Sequence, residues 1–318
     1  MEKKRGKIDL TGILVLDKPK GLTSTEALEK VKKILRVKKA GHGGTLDPIA
    51  TGVLPIFLGN ATKVAQIFLE GDKVYEGVFK LGISTLTYDI TGEVVSEKEP
   101  PSLSKEEIQK VAEEFVGEIQ QIPPPFSAAK FKGRPLYKYA RDGLLIPKEP
   151  KKVKVYEFKI LEVNGDEVRF YLSCSKGTYV RSLINELGKK LECGAVLVEL
   201  KRLKKSVFTL DSALTIDQIK EIVKENREKI KEKLISVNKA LDFLPKVIIS
   251  EEFSKRVREG RQLHTSSFLS FIKFQKVSIL PKEKWVRLIN TKGELVAIIE
   301  NPLLNPSRQY IAYFRVFK

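Results

Sequence analysis

Histidine, cysteine, methionine and tryptophan are all scarce in this chain. Its 318 residues include two histidines, two cysteines, one methionine and one tryptophan. Two cysteines, Cys174 and Cys193, cannot build a disulfide scaffold, and with two histidines they form no zinc-binding spacing, so a reducing compartment fits best. No apolar run approaches the roughly 20 residues of a membrane helix. The charged start, Met1 to Lys7, leads into no such run, so neither a signal peptide nor a span is expected and the cytoplasm is the expected location. Walker-type and dinucleotide-type glycine loops are missing too, as are internal repeats and low-complexity tracts.

Positive charge is plentiful and uneven. The net charge is +18. Residues 1–40 carry 12 Lys/Arg against 5 Asp/Glu, residues 130–159 carry 10 against 3, and residues 246–318 carry 14 against 6, while the rest is slightly acidic. Basicity in three separated blocks points to a polyanion touched at several places, nucleic acid above all. A heat-stable Lys/Glu-rich surface is the alternative, but it would intersperse the two signs. Hydrophobic content of 42% supports a real core, and the length suits one large domain and a small one.

The segment Gly41-His42-Gly43-Gly44-Thr45-Leu46-Asp47-Pro48-Ile49-Ala50-Thr51-Gly52-Val53-Leu54 concentrates the chemistry. Glycines free the backbone, and Asp-Pro is a turn element in which Asp47 can cap a following helix and feel its positive end. Two readings stand: a stiff loop presenting one carboxylate, or an ordinary turn between core elements.

Periodicity places the rest. Gly12 to Leu16 reads as a buried strand, and Thr23/Glu26 as a capping box for a helix with a basic outer face. Ala61 to Leu69 has helical spacing. Lys73 to Leu81 alternates as a strand with Tyr75, Gly77, Phe79 and Leu81 on one face. Thr85 to Gly92 is a turn-rich connector. Ser104 to Gly117 is a capped helix. Residues 126–150 form a long loop in which Lys130, Arg134 and Arg141 interleave with aromatic rings, a pattern suited to RNA. Lys152 to Leu161 and Glu167 to Ser173 pair through Asn164-Gly165. The next helix has Val180, Leu183, Ile184 and Leu187 inward and Arg181 in its first turn. A cation there opposes the helix dipole, so Arg181 either meets a carboxylate from elsewhere or snorkels to the surface. Ala195 to Leu203 is another strand, and two helices fill Leu214 to Leu241. Beyond Pro245 short strands dominate, with one small helix, Glu251 to Glu259, and a hairpin at Lys292-Gly293.

Several of these stretches together resemble the TruB family of tRNA pseudouridine synthases. Gly43 to Leu54 resembles its signature, Leu16-Asp17-Lys18-Pro19-Lys20-Gly21-Leu22-Thr23-Ser24 its N-terminal motif, Lys73-Val74-Tyr75 its tyrosine motif, and Ser175 to Leu183 its third. Pro124 to Lys130 with Leu136 to Arg141 is similar to the RNA-gripping insertion of the bacterial form. The match runs through residues 11–205 in order.

The resemblance implies an α+β fold: a mixed, mainly antiparallel sheet flanked by helices over residues 1–244, and a small PUA-like β-barrel over 245–318. It implies isomerisation of the uridine at position 55 in the T-loop of tRNA, in a monomer binding the T-arm without metal or cofactor. Asp47 would be the nucleophile, and Arg181 would hold it with a bidentate fork. Tyr75 would stack on the flipped base and take part in proton removal. His42 would fill the space the base leaves, unless it packs or acts as acid or base. Tyr179 and Leu200 would line the pocket, and Lys20, Lys63, Lys130, Arg134 and Arg141 would hold RNA. Phe126 departs from the tyrosine frequent in the family. The rival readings are a guide-RNA-dependent synthase and an RNA-folding chaperone.

Overall fold

The computed structural model describes residues 10–127, 130–144, 146, 148–280 and 283–317; of Lys130 and Arg141 it describes the backbone alone, so these two side chains lie outside the described residues. In chain order the elements are β1 (Gly12–Lys18), α1 (Ser24–Leu35), β2 (Ala40–His42), β3 (Ala50–Leu58), α2 (Ala65–Leu69), β4 (Lys73–Leu81), β5 (Ile83–Thr85) and β6 (Val94–Glu97). There follow α3 (Lys105–Glu113), β7 (Gly117–Gln121), β8 (Lys130–Phe131), β9 (Arg134–Pro135), α4 (Leu136–Arg141), β10 (Lys151–Asn164), β11 (Glu167–Cys174), α5 (Val180–Lys190), β12 (Ala195–Lys205) and β13 (Phe208–Thr209). Last come α6 (Ile216–Asn226), α7 (Val237–Ala240), β14 (Lys246–Ile249), α8 (Glu251–Arg258), α9 (Thr265–Phe274), β15 (Trp285–Asn290), β16 (Leu295–Glu300) and β17 (Tyr313–Val316).

The large sheet runs β1-β3-β12-β4-β11-β10-β7, with β2 on β3 and β13 on β12. Among the described residues only β3 and β12 pair in parallel in this sheet, and every other pairing in it is antiparallel. The expected mixed, mainly antiparallel α+β architecture is therefore present. Both faces of β1 are covered: Leu14 and Leu16 enter one core cluster, Ile13 and Val15 another. That double burial explains why Gly12 to Leu16 is a continuous apolar run rather than an alternating one. The capping boxes at Thr23/Glu26 and Ser104/Glu107 form as expected.

Several expectations need correction. No helix follows Asp47: Ala50 opens β3 directly, so the carboxylate gains nothing from a helix dipole. Residues 59–69 form a six-residue 3₁₀ stretch and one turn of α-helix. The loop at 126–150 contains a short hairpin and helix α4. The region beyond 245 has a second helix, α9, where Phe268 and Ile272 are buried at i, i+4.

The sheet β14-β15-β16-β17 is open among the described residues, with β14 and β17 at its edges. It holds its own core, from Val247 to Ile311. It also docks on the larger body. Ile298, Trp285, Phe314 and Phe317 join the cluster containing Phe57, Phe68 and Phe208. Among the described residues no helix is long and apolar enough to cross a membrane.

Candidate active site

Strand β3 begins where the 43–49 loop ends, and this loop is tied down at several points. Buried Ser24, at the start of α1, accepts from Leu46 N–H at 2.8 Å and donates to Leu46 C=O at 3.1 Å. Gly43 N–H bonds Pro55 C=O at 2.8 Å, and Gly21 N–H bonds Pro48 C=O at 2.8 Å. Two glycines serve internal packing rather than ligand approach. A Cβ on Gly43 would lie 2.7 Å from the Phe57 ring, and one on Gly52 would lie 2.3 Å from the Arg202 carbonyl oxygen. Gly41 does have open space around it.

The loop presents Asp47 to Arg181, from the first turn of α5. The Arg181 Nε–H donates to Asp47 Oδ2 at 2.8 Å. The arginine side chain is 5% exposed and the aspartate side chain 36%. Of the two readings of Arg181, the carboxylate partner is what the structure holds. The contact is not a fork, however. One terminal nitrogen donates to the Thr87 carbonyl at 2.8 Å and the other to the Phe126 carbonyl at 2.9 Å. Asp89 Oδ2 stands 3.4 Å from the first of these nitrogens. Arg181 thus ties three segments to Asp47, and its single bond leaves the other carboxylate oxygen free of it.

Asp89 is the neighbour of this ion pair that sequence reasoning misses. Its Oδ1 accepts from Thr87 Oγ1 at 2.8 Å, Thr91 N–H at 3.1 Å and Thr91 Oγ1 at 2.5 Å. The only sequence signal is its flanking by threonines, which any Asx turn shares.

Asp47 opens on a cleft of about 300 Å³ lined by Thr45, Leu46, Lys73, Tyr75, Lys151, Thr178, Tyr179, Arg181 and Leu200, among others. Asp47, Tyr75, Tyr179, Arg181 and Leu200 are brought together there. Tyr75 stands on β4 and is buried beside Arg202; burial pushes its phenol up to about 12. At neutral pH it is a ring and a proton donor, and the phenolate needed to remove a proton is disfavoured. Burial also raises the Tyr179 phenol. The Tyr179 backbone is clamped by Gln121, whose Oε1 accepts from its N–H at 2.8 Å and whose Nε2 donates to its C=O at 3.0 Å.

The other expected residues lie elsewhere. His42 sits half-buried on β2 opposite Ile56, outside the residues lining the cleft. Burial and Arg202 lower its pKa, and its Nδ1 is buried without a hydrogen-bond partner. Lys20 lines an adjoining groove that shares Leu200, and its ammonium is 3.8 Å from Glu199. Lys63 is spent on the C-terminal junction: it donates to Val316 C=O at 3.2 Å and lies over the Phe317 ring. Arg134 pairs with Asp142 and stacks 4.7 Å from the Tyr139 ring centroid. Among the described residues no group of three or more His, Cys, Asp or Glu could hold a metal ion.

The N-terminal model of TruB family pseudouridylate synthases matches residues 32–180, and the tRNA pseudouridylate synthase B C-terminal model matches 181–244. The chain belongs to the TruB family. It is 40% identical over 296 residues to the tRNA pseudouridine synthase B of Solibacter usitatus, covering 93% of this chain and 97% of that one. It is 39% identical to the enzyme of that name from Thermotoga maritima, covering 91% and 89%. Among solved structures it is similar to the archaeal box H/ACA sRNP Nop10–Cbf5 complex, with a TM-score of 0.69, 28% identity, and 98% and 86% coverage. A second is an H/ACA RNP bound to a substrate RNA containing 2′-deoxyuridine, with a TM-score of 0.70, 29% identity, and 97% and 85% coverage. Within the TruB matches, the boundary between the two family models falls between Val180 and Arg181, inside α5.

Proposed function

We propose that this chain isomerises a uridine of tRNA to pseudouridine, at position 55 of the T-loop, as a monomer acting on the T-arm without metal or cofactor. The observation that carries the proposal is one carboxylate, ion-paired at 2.8 Å, in a cleft walled by two tyrosine rings on a chain of net charge +18. A carboxylate nucleophile must be aimed, and the Arg181 Nε–H bond at 2.8 Å aims Asp47. The target base reaches such a cleft only by leaving its stack. Tyr75 stacks on the flipped base, Tyr179 and Leu200 close around it, and His42 enters the space it vacates. The reaction breaks the N1–C1′ bond, forms C5–C1′, removes a proton from C5 and places one on N1, so it balances without an added group.

Residues 1–244 act as the catalytic body, with 126–150 gripping RNA. Residues 245–318 serve as a PUA-like RNA-binding module that extends the basic surface. Lys20, Lys130, Arg134 and Arg141 contact the RNA backbone. Lys63 is omitted because its ammonium is already engaged at the junction.

The test is pseudouridine mapping by chemical derivatisation on a tRNA transcript, since the two isomers have equal mass. Asp47→Asn is expected to form no pseudouridine while binding tRNA within a few-fold of the parent chain. Full activity in that variant would overturn the proposal. Likeness to the archaeal complexes favours a second reading, in which a guide RNA is required. Turnover of a transcript by the purified chain alone excludes it. Rescue of every cellular phenotype by Asp47→Asn would make RNA chaperoning the principal role.

A further inference from the structure

Behind the Asp47 loop lie three cations with no exposure at all: Lys18, Arg202 and Lys205. Among the described residues none of them is within salt-bridging reach of a carboxylate; their side chains donate to backbone carbonyls instead. Desolvating a cation is costly, and carbonyls offset it only in part. The directions of the Arg202 hydrogen bonds show what the site gains.

Its Nε–H donates to Val53 C=O at 2.8 Å, and its two terminal nitrogens donate to Thr45 and Gly44 C=O at 3.2 Å each. Asp47 lies between these anchors in the chain. One side chain therefore holds the loop on both sides of the carboxylate. The Arg202 backbone also pairs in parallel with Gly52 and antiparallel with Tyr75. The strand bearing Tyr75 and the loop bearing Asp47 are registered against each other through this one residue.

We infer that Arg202 is a positioning residue of the reaction, setting the carboxylate of Asp47 relative to the ring of Tyr75. The inference rests on the function proposed above. Three carbonyls in divergent directions suit a planar guanidinium and not a compact ammonium. Arg202→Lys keeps the charge and gives up the spread of donors. Gly44→Ala attacks the same link from the loop side. Gly44 has φ +123°, which an L side chain rarely adopts, yet the added Cβ would meet nothing closer than Lys205 Cε at 3.6 Å. The alanine turns the 44 carbonyl away and leaves Arg202 itself intact.

The experiment measures single-turnover pseudouridine formation, tRNA affinity and tRNA-binding stoichiometry for the full-length parent chain and both variants. Displacement of a reacting group by about 1 Å costs on the order of 10²-fold. The expected result is a loss of 10- to 100-fold in rate per bound tRNA for each variant, with affinity within about threefold and full stoichiometry. A merely structural role lowers the stoichiometry and leaves the rate per bound tRNA unchanged, and that result overturns the inference. Should Arg202→Lys fail to fold, Gly44→Ala alone decides it: an unchanged rate refutes the inference. Activity in the parent chain with unaltered rates in both variants refutes only this inference. No activity in the parent chain refutes the proposed function instead.

Discussion

Lys205 is a charged residue kept where charge is expensive. Its ammonium donates to the carbonyls of Leu69 at 3.1 Å and Gly71 at 2.6 Å. Burial lowers its pKa to about 7, with Lys73 and Arg202 adding repulsion against weaker attraction from Asp72 and Glu70. The unfolded chain binds this proton more tightly than the folded one. The penalty is therefore complete below about pH 7 and fades as pH rises toward the unfolded value of roughly 10.4. Lys205→Met should raise the melting temperature relative to the parent chain at pH 6, and the difference should shrink by pH 9. A difference constant from pH 6 to 9 would contradict this. At this scale the sequence exposes what a family resemblance can carry: Asp47, Tyr75, Tyr179, Arg181 and Leu200 meet in one cleft. It conceals Asp89, Arg202 and Ser24, because their importance lies in partners far along the chain. Ser24 to Leu46, Thr45 to Arg202 and Asp89 to Arg181 are long-range links with no local pattern.

Among the elements, the parallel pairing of β3 with β12 is the joint on which the site depends. It is short, running from Leu200↔Ala50 to Arg202↔Gly52. Gly52 has φ +94°, and its Cβ position is filled by the Arg202 backbone. Gly52→Ala therefore combines strain with overpacking and should cost about 3 kcal/mol. A denaturant midpoint indistinguishable from that of the parent chain would refute this. Elements with strong periodicity and caps are legible, as α1, α3, β4 and the β10–β11 hairpin show. Helix α9 is not: Phe268, Phe271 and Ile272 are spaced as a helix face, but Ser266, Ser267 and the aromatic content favour strand or turn on propensity. The Asp47-Pro48 turn passes for a helix start because the same dipeptide serves both uses.

The whole molecule joins two bodies through apolar contact. Trp285, Ile298, Phe314 and Phe317 of one body share a buried cluster with Phe57, Phe68 and Phe208 of the other, and the Lys63 ammonium lies 5.7 Å from the Phe317 ring centroid. Arg315 Nε donates to Lys63 C=O at 3.0 Å across the same junction. Deleting residues 246–318 would expose this seam and lower stability, so it is a poor test of RNA binding. Charge substitutions are cleaner. Lys255→Gln with Arg256→Gln on exposed positions of α8 should flatten the dependence of log affinity on log salt, by about 0.9 for each phosphate no longer neutralised. An unchanged slope would remove α8 from the RNA surface. Net charge announces a polyanion partner at this scale. The junction cannot be foreseen, because its residues look like ordinary core positions in either body.

Arg181 also couples two distant parts of the molecule. Its donors go to Asp47, to the Thr87 turn and to the Phe126 carbonyl. Phe126 is the residue from which the chain departs into the basic insertion. Under the proposed function, the mouth that takes hold of RNA and the carboxylate that attacks it are thus fastened to a single post. The same arginine bonds the Phe126 carbonyl at 2.9 Å and the Asp47 carboxylate at 2.8 Å. Under that function, an RNA that displaces the insertion at Phe126 is expected to disturb the aim of Asp47 as well.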